Sequence, residues 1–302
     1  MSKALKWAGI VLGALVALVA VAIVVVYLVS NARINTTYAF TPSSVAVPTD
    51  SAAIVYGEHV ATIRACLECH GENLGGKLFI DAGPVVKLYA SNLTTGRGGV
   101  GASYSDVDWV RAVRHGVGPD GKPLLFMPSQ EFYPLSDEDL GALLAYIKTL
   151  PPVDNELPAN SVGPVGRVLY LSGQLPLVPA ELIDHEAPRA EPPAPGVTPA
   201  YGRYLAVTCT GCHGEGFSGG KIPGTPPEFI PATNITPDPE TGIGNWTEAD
   251  FIRALREGRR PDGAELNATY MPWPLLAKMT DDELRAIWVY LQTLPPKPEG
   301  GR

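Results

Sequence analysis

Cys66-Leu67-Glu68-Cys69-His70 returns in the same chain as Cys209-Thr210-Gly211-Cys212-His213, and the reading of this pair decides the fold. C-x-x-C-H is the pattern of covalent c-type haem attachment. Two thiols three residues apart can add across the two vinyl groups of one porphyrin. The adjacent histidine then places a nitrogen on the iron. The chain has four cysteines, and the two motifs use all of them. Two redox-active C-x-x-C pairs, or one zinc site built from four thiolates, are the alternatives. Neither accounts for a histidine directly after both pairs, so the chemistry expected is two covalently attached haem c groups.

The sequence around each motif repeats as well. Residues 53–65 are predicted helical and lead into Cys66, with Gly57 marking a close helix crossing. The corresponding stretch of the second repeat is Tyr201-Gly202-Arg203-Tyr204. Asn92-Leu93-Thr94 and Asn234-Ile235-Thr236 follow their motifs at matched positions. Each fits N-x-T, the glycosylation acceptor, but paired occurrence favours a turn that bonds a haem edge or propionate. Ser105 and Thr247 open short capped helices that stop at Gly116 and Gly258. Pro119-Asp120-Gly121 and Pro261-Asp262-Gly263 then make matching turns. This is an internal duplication.

Met127-Pro128 and Met271-Pro272 come next, 61 residues after Cys66 and 62 after Cys209. A thioether is a soft, neutral ligand that favours reduced iron. The nearly equal spacing favours Met127 and Met271 as axial ligands opposite His70 and His213 over two core methionines in irregular loops. Met279 competes in the second repeat, yet it stands just before a helix cap and has no counterpart in the first. Ser136 and the Thr280-x-x-Glu283 capping box then open terminal helices. Their apolar stripes are Leu140, Leu143, Leu144 and Ile147, and Leu284, Ile287, Trp288 and Leu291. Proline pairs at 151–152 and 295–296 end both helices.

Residues 7–29 form one apolar run without a charge, long enough to span a membrane. Lys3 and Lys6 precede it, so the first residues are expected in the cytoplasm and the remainder outside. A cleaved signal peptide is the rival reading. Residues 31–53, rich in Thr, Ser and Pro, read as an extended tether that lifts the first domain or lies along a partner subunit. Residues 158–199 join the repeats and hold one predicted helix, 165–171. Their apolar content predicts a segment that runs over the surface and fixes the two domains together. The net charge of -8 over 302 residues argues against nucleic-acid binding.

Both repeats resemble class I c-type cytochrome domains, in which an N-terminal helix, C-x-x-C-H, a late methionine and a crossing terminal helix follow in that order. The resemblance implies that Cys66 and Cys69 tether one haem, ligated by His70 and Met127. Cys209 and Cys212 would tether the other, ligated by His213 and Met271. The N-x-T loops and P-D-G turns resemble membrane-bound cytochrome subunits of bacterial dehydrogenases; some of these carry three haems, whereas this chain has two motifs. The expected architecture is mainly α, with two cytochrome c-like haem domains after one N-terminal transmembrane helix. Residues 1–30 form the anchor, 31–50 the tether, 51–152 the first haem domain, 153–198 an interdomain segment, 199–296 the second haem domain and 297–302 a tail.

Six-coordinate iron leaves no open position for substrate, so the expected role is electron transfer rather than catalysis. The route would run from a dehydrogenase, or a respiratory or photosynthetic complex, to an acceptor such as an oxidase. Lipid would contact residues 7–29, with the haem domains on the periplasmic or extracellular face of the cell membrane. The alternatives are a dihaem cytochrome c peroxidase, which needs one reactive iron with a different ligand, and a mainly structural haem subunit. His59, His115 and His185 are read as packing or surface residues. Arg111, Arg114, Arg253 and Arg256 could reach propionates or simply face solvent.

Overall fold

The computed structural model describes residues 2–225 and 228–302, and it is mainly helical. Helix α1 (Lys3–Ile34) is capped by Ser2 and apolar on every side, with 32 residues. It is long and apolar enough to cross a membrane, its best window reaching a mean hydropathy of 3.1. The first repeat follows as α2 (Ser51–Ile63), α3 (Cys66–His70), β1 (Lys77–Asp81), β2 (Val86–Ala90), α4 (Asp106–His115), α5 (Ser129–Phe132) and α6 (Asp137–Thr149). Strand β3 (Ser161–Val162) and α7 (Pro164–Leu171) lie in the connecting segment. The second repeat is α8 (Pro199–Ala206), α9 (Thr210–His213), α10 (Glu248–Glu257), α11 (Trp273–Leu276) and α12 (Asp281–Leu291). Capping boxes on Ser105, Thr247 and Thr280 fix where α4, α10 and α12 begin. Left-handed Gly116 and Gly258 stop α4 and α10.

In each repeat the first helix crosses the last, and both predicted stripes turn inward. Val60, Ala61, Leu140, Leu143, Leu144 and Ile147 are buried together in one core. Leu205, Ala206, Leu284, Ile287 and Leu291 are buried together in the other. A Cβ on Gly57 would stand 1.9 Å from the Ala142 carbonyl oxygen, and one on Gly202 would stand 1.9 Å from that of Ala286. The obstacle is backbone, so relief requires the helices to part. Gly202→Ala is therefore expected to destabilise the protein by at least the ~1–3 kcal/mol usual for overpacking, although alanine is the better helix former by about 1 kcal/mol. Thermal unfolding checks this, and a variant as stable as its parent would contradict the close crossing.

Several features depart from the sequence reading. Helix α2 ends at Ile63, and Ala65 takes a left-handed φ of 60° before the motif. The tether is extended but lies along the first repeat itself: Tyr38 N donates to Gly121 O, Lys122 Nζ donates to Asn35 O, and Val45 is buried in the first core. Strands β1, β2 and β3 form an antiparallel sheet that the sequence reading did not anticipate.

The connecting segment packs mainly on the first repeat and on the end of α1. Leu175, Leu177 and Val178 join Val86, Leu88 and Val117 in a third core. Arg167 Nη1 donates to Ser30 Oγ at 2.6 Å and to Asn31 Oδ1 at 2.8 Å, with its guanidinium over the Tyr27 ring. The segment thus joins α1 to the first repeat and also reaches the second, where a Cβ on Gly224 would meet Gln174 O at 3.1 Å; the repeats' own helices add further ties.

Candidate functional site

Each motif is a short helical turn ended by a glycine of positive φ, Gly71 at 85° and Gly214 at 78°. That turn carries the chain away and leaves the histidine ring facing its own core. His70 Nδ1 lies 2.7 Å from Ser91 O, and His213 Nδ1 lies 2.7 Å from Thr233 O. A carbonyl only accepts, so Nδ1 carries the proton and Nε2 presents a lone pair. Burial holds both imidazoles below their ordinary pKa and therefore neutral. Burial also pushes the Cys66 and Cys209 thiols up to about 12 and Cys69 up to about 11.

The carbonyls that orient the histidines belong to the residues directly before the N-x-T turns. Asn92 and Asn234 are buried. Asn92 Oδ1 accepts from Thr94 N and Oγ1 at 3.0 and 2.8 Å, while Nδ2 donates to Val153 O at 2.7 Å. Asn234 Oδ1 accepts from Thr236 N and Oγ1 at 2.9 and 2.8 Å, with Nδ2 donating to Lys297 O at 2.6 Å. Such burial is incompatible with a glycan. Both side-chain amides bond the protein, Asn234 Nδ2 also donating to Thr241 Oγ1 at 2.9 Å. They act one step removed, fixing Ser91 and Thr233, two residues the sequence reading missed.

A cavity of about 380 Å³ opens beside the second motif. Its wall includes Cys209, His213, Trp246, Phe251, Leu255 and Met271. Met279 is 3% exposed and packs in the core instead. In the first repeat, Cys66, Tyr104 and Met127 pack against a core that includes Trp109 and Val113. Both methionines sit at the same turn: Ser129 N donates to Met127 O, and Trp273 N donates to Met271 O, each at 2.7 Å.

Two thiols, a histidine with a free Nε2, a thioether and an apolar wall fit a covalently held haem. Arg260, also in the cavity wall, has a buried Nε without a partner, which suits an anionic edge. The four arginines weighed in the sequence have other partners. Arg111 and Arg253 bond the aspartates three residues before them at 3.1 and 2.6 Å. Arg114 donates to Leu135 O, and Arg256 to Ala277 O; each also pairs with the aspartate at the start of the following terminal helix, Asp137 or Asp281.

The remaining histidines are packing residues with specific partners. His115 Nδ1 lies 3.0 Å from His185 Nδ1, and Phe40 stacks on His185. Burial, then His185, pushes His115 down to about 4. His59 crosses to the other repeat, where Nε2 lies 2.9 Å from Glu283 Oε1. The hydrogen bond to Glu283 raises its pKa against the effect of burial.

That contact has a mirror. Tyr204, which stands two residues after Gly202 as His59 stands two after Gly57, donates to Asp139 of the first repeat. Asp139 and Glu283 both occupy the third position of a capped terminal helix. The repeats therefore meet about a local pseudo-two-fold axis, through α2 and α8. The same seam brings the second motif against the first repeat. A Cβ on Gly211 would meet Glu131 Oε1 of the first repeat at 2.9 Å. Burial, then Glu215, pushes the Glu131 carboxyl up to about 8.

Residues 200–295 match the cytochrome c family. The chain is similar to the cytochrome c subunit of a quinone-dependent alcohol dehydrogenase from Gluconacetobacter polyoxogenes, with 31% identity over 82% of this chain and 57% of the relative. It is also similar to the gluconate 2-dehydrogenase cytochrome c subunit of Pantoea cypripedii, with 30% identity over 82% of this chain and 61% of the relative. A dihaem cytochrome c-type protein of Cereibacter sphaeroides is 34% identical over 31% of this chain and 34% of its own length. The chain thus spans less than two thirds of the length of these relatives.

Proposed function

We propose that the chain is a membrane-anchored dihaem cytochrome c that transfers electrons for a dehydrogenase complex and does not itself oxidise substrate. The observation that carries this reading is the repeated pairing of a C-x-x-C-H histidine, its Nδ1 tied to a carbonyl, with a methionine on a matched turn. Covalently held haem c supplies reversible one-electron transfer at a potential set by its axial ligands. Cys66 and Cys69 hold one such group, and Cys209 and Cys212 the other. His70 and His213 present Nε2 to iron, while Met127 and Met271 present sulfur. The apolar walls exclude water and favour the less charged, reduced state. Helix α1 is the anchor, with residues 7–29 in lipid and the haem domains on the outer side of the cell membrane. Similarity to the cytochrome subunits supports a dehydrogenase as electron donor.

The test is extraction and purification of the native protein from membranes. Expected are a retained N-terminal segment, a requirement for detergent, and a co-purifying dehydrogenase whose substrate reduces the haems. A mature chain beginning near Asn31, or one with rapid peroxide turnover and an open iron site, would overturn the reading.

A further inference from the structure

The seam between the repeats carries a charge with no assigned use. Arg64 stands two residues before Cys66 and is 2% exposed. Its Nη1 donates to Tyr204 O at 3.2 Å, to Leu205 O at 3.3 Å and to Thr208 Oγ1 at 3.3 Å. Thr208 directly precedes Cys209, so one guanidinium bridges the approaches to both motifs. Tyr204 and Leu205 lie in the last turn of α8, whose carbonyl end attracts a cation. The guanidinium carbon also lies 4.7 Å from the centroid of the Tyr204 ring. No carboxylate pairs with Arg64 among the described residues, and its buried Nε and Nη2 have no partner there.

The second repeat has no equivalent. Eight residues separate Gly57 from Cys66, whereas six separate Gly202 from Cys209. Arg64 and the left-handed Ala65 stand at the end of the longer connection. The pseudo-symmetric seam is therefore broken at the point where it approaches both motifs. Three acceptors use a single guanidinium nitrogen, and a neutral donor could serve them. The α8 carbonyl end and the Tyr204 ring favour the cation, but no carboxylate among the described residues lies within ion-pair distance to neutralise it, so its field extends to the surroundings of both motifs.

Resting on the two-haem reading, we propose that Arg64 is a shared tuning residue whose buried charge raises the reduction potential of both haems together. A nearby cation stabilises an added electron, and low-dielectric surroundings lengthen its reach. Arg64 stands two residues before Cys66 and donates to Thr208 Oγ1 directly before Cys209, so the charge lies beside both motifs.

The experiment uses the full-length holo protein in detergent, with haem count determined first and potentials followed by the visible absorbance of reduced haem. Arg64→Gln is expected to move both midpoints downward, and Arg64→Lys to keep both near the parent values. Arg64→Met preserves more of the stem's packing and supplies the same reading should the glutamine variant leave the seam unstable; thermal unfolding of each variant separates lost folding from lost charge. Unchanged midpoints in the neutral variants, a shift confined to one haem, or an equal fall in Arg64→Lys would overturn the proposal. A parent chain carrying one haem would instead overturn the reading on which it rests.

Discussion

Replacing Cys209 and Cys212 together with alanine is expected to halve the haem mass that stays with the denatured chain while leaving the first motif loaded. Thioether bonds survive unfolding; a group held only by iron ligands does not. The variant should also lose its second repeat as a stable unit. The cavity beside Cys209 measures about 380 Å³. Without a tethered haem, the apolar walls at Trp246, Phe251, Leu255 and Met271 would be open to water and lose the burial that holds the repeat together. Intact mass after denaturation counts the haems, and limited proteolysis locates the unfolded part. The reciprocal Cys66→Ala, Cys69→Ala variant should spare the second haem. Retention of two haem masses in either double variant would remove the assigned attachment sites.

The helical frame was legible because its signals are local. Ser105, Thr247 and Thr280 each sit three residues before an acidic partner, and Gly57 and Gly202 mark helix crossings that exclude a Cβ. The N-x-T repeat announced a shared turn, but its use could be read only from three dimensions. Asn92 and Asn234 orient the carbonyls of Ser91 and Thr233, and those carbonyls orient the histidines. The seam was not legible, since no periodicity links His59 to Glu283 across 224 residues. The tether's position was hidden for a related reason. Val45 and Ala46 look unremarkable in a Ser- and Pro-containing stretch, yet Val45 is buried and a Cβ on Gly141 would meet Ala46 O at 2.2 Å. Strand β1 escaped notice because four of its five residues are exposed, leaving no apolar alternation to detect.

Met271→His is expected to lower the potential of the second haem and to remove its share of the near-infrared sulfur-to-iron band. Imidazole donates more strongly and stabilises oxidised iron, whereas a thioether favours the reduced state. Met271 lines the same cavity as His213, on a turn stiffened by Pro272 and closed by the Trp273 N to Met271 O hydrogen bond. Met279 stands one residue before the Thr280 cap, buried in the core, so Met279→Leu should leave both band and potential in place. Met127→His should act on the first haem in the same way, because Met127 occupies the matching turn before Pro128. With similar contributions from the two haems, each single variant loses about half the band and the double variant loses all of it, the thioether being its source. Potentials alone would not separate a changed ligand from a displaced loop, so the band and the midpoints must move together. A band unchanged in Met271→His but halved in Met279→Leu would transfer the ligand to the core methionine and require the cavity wall to rearrange on haem attachment.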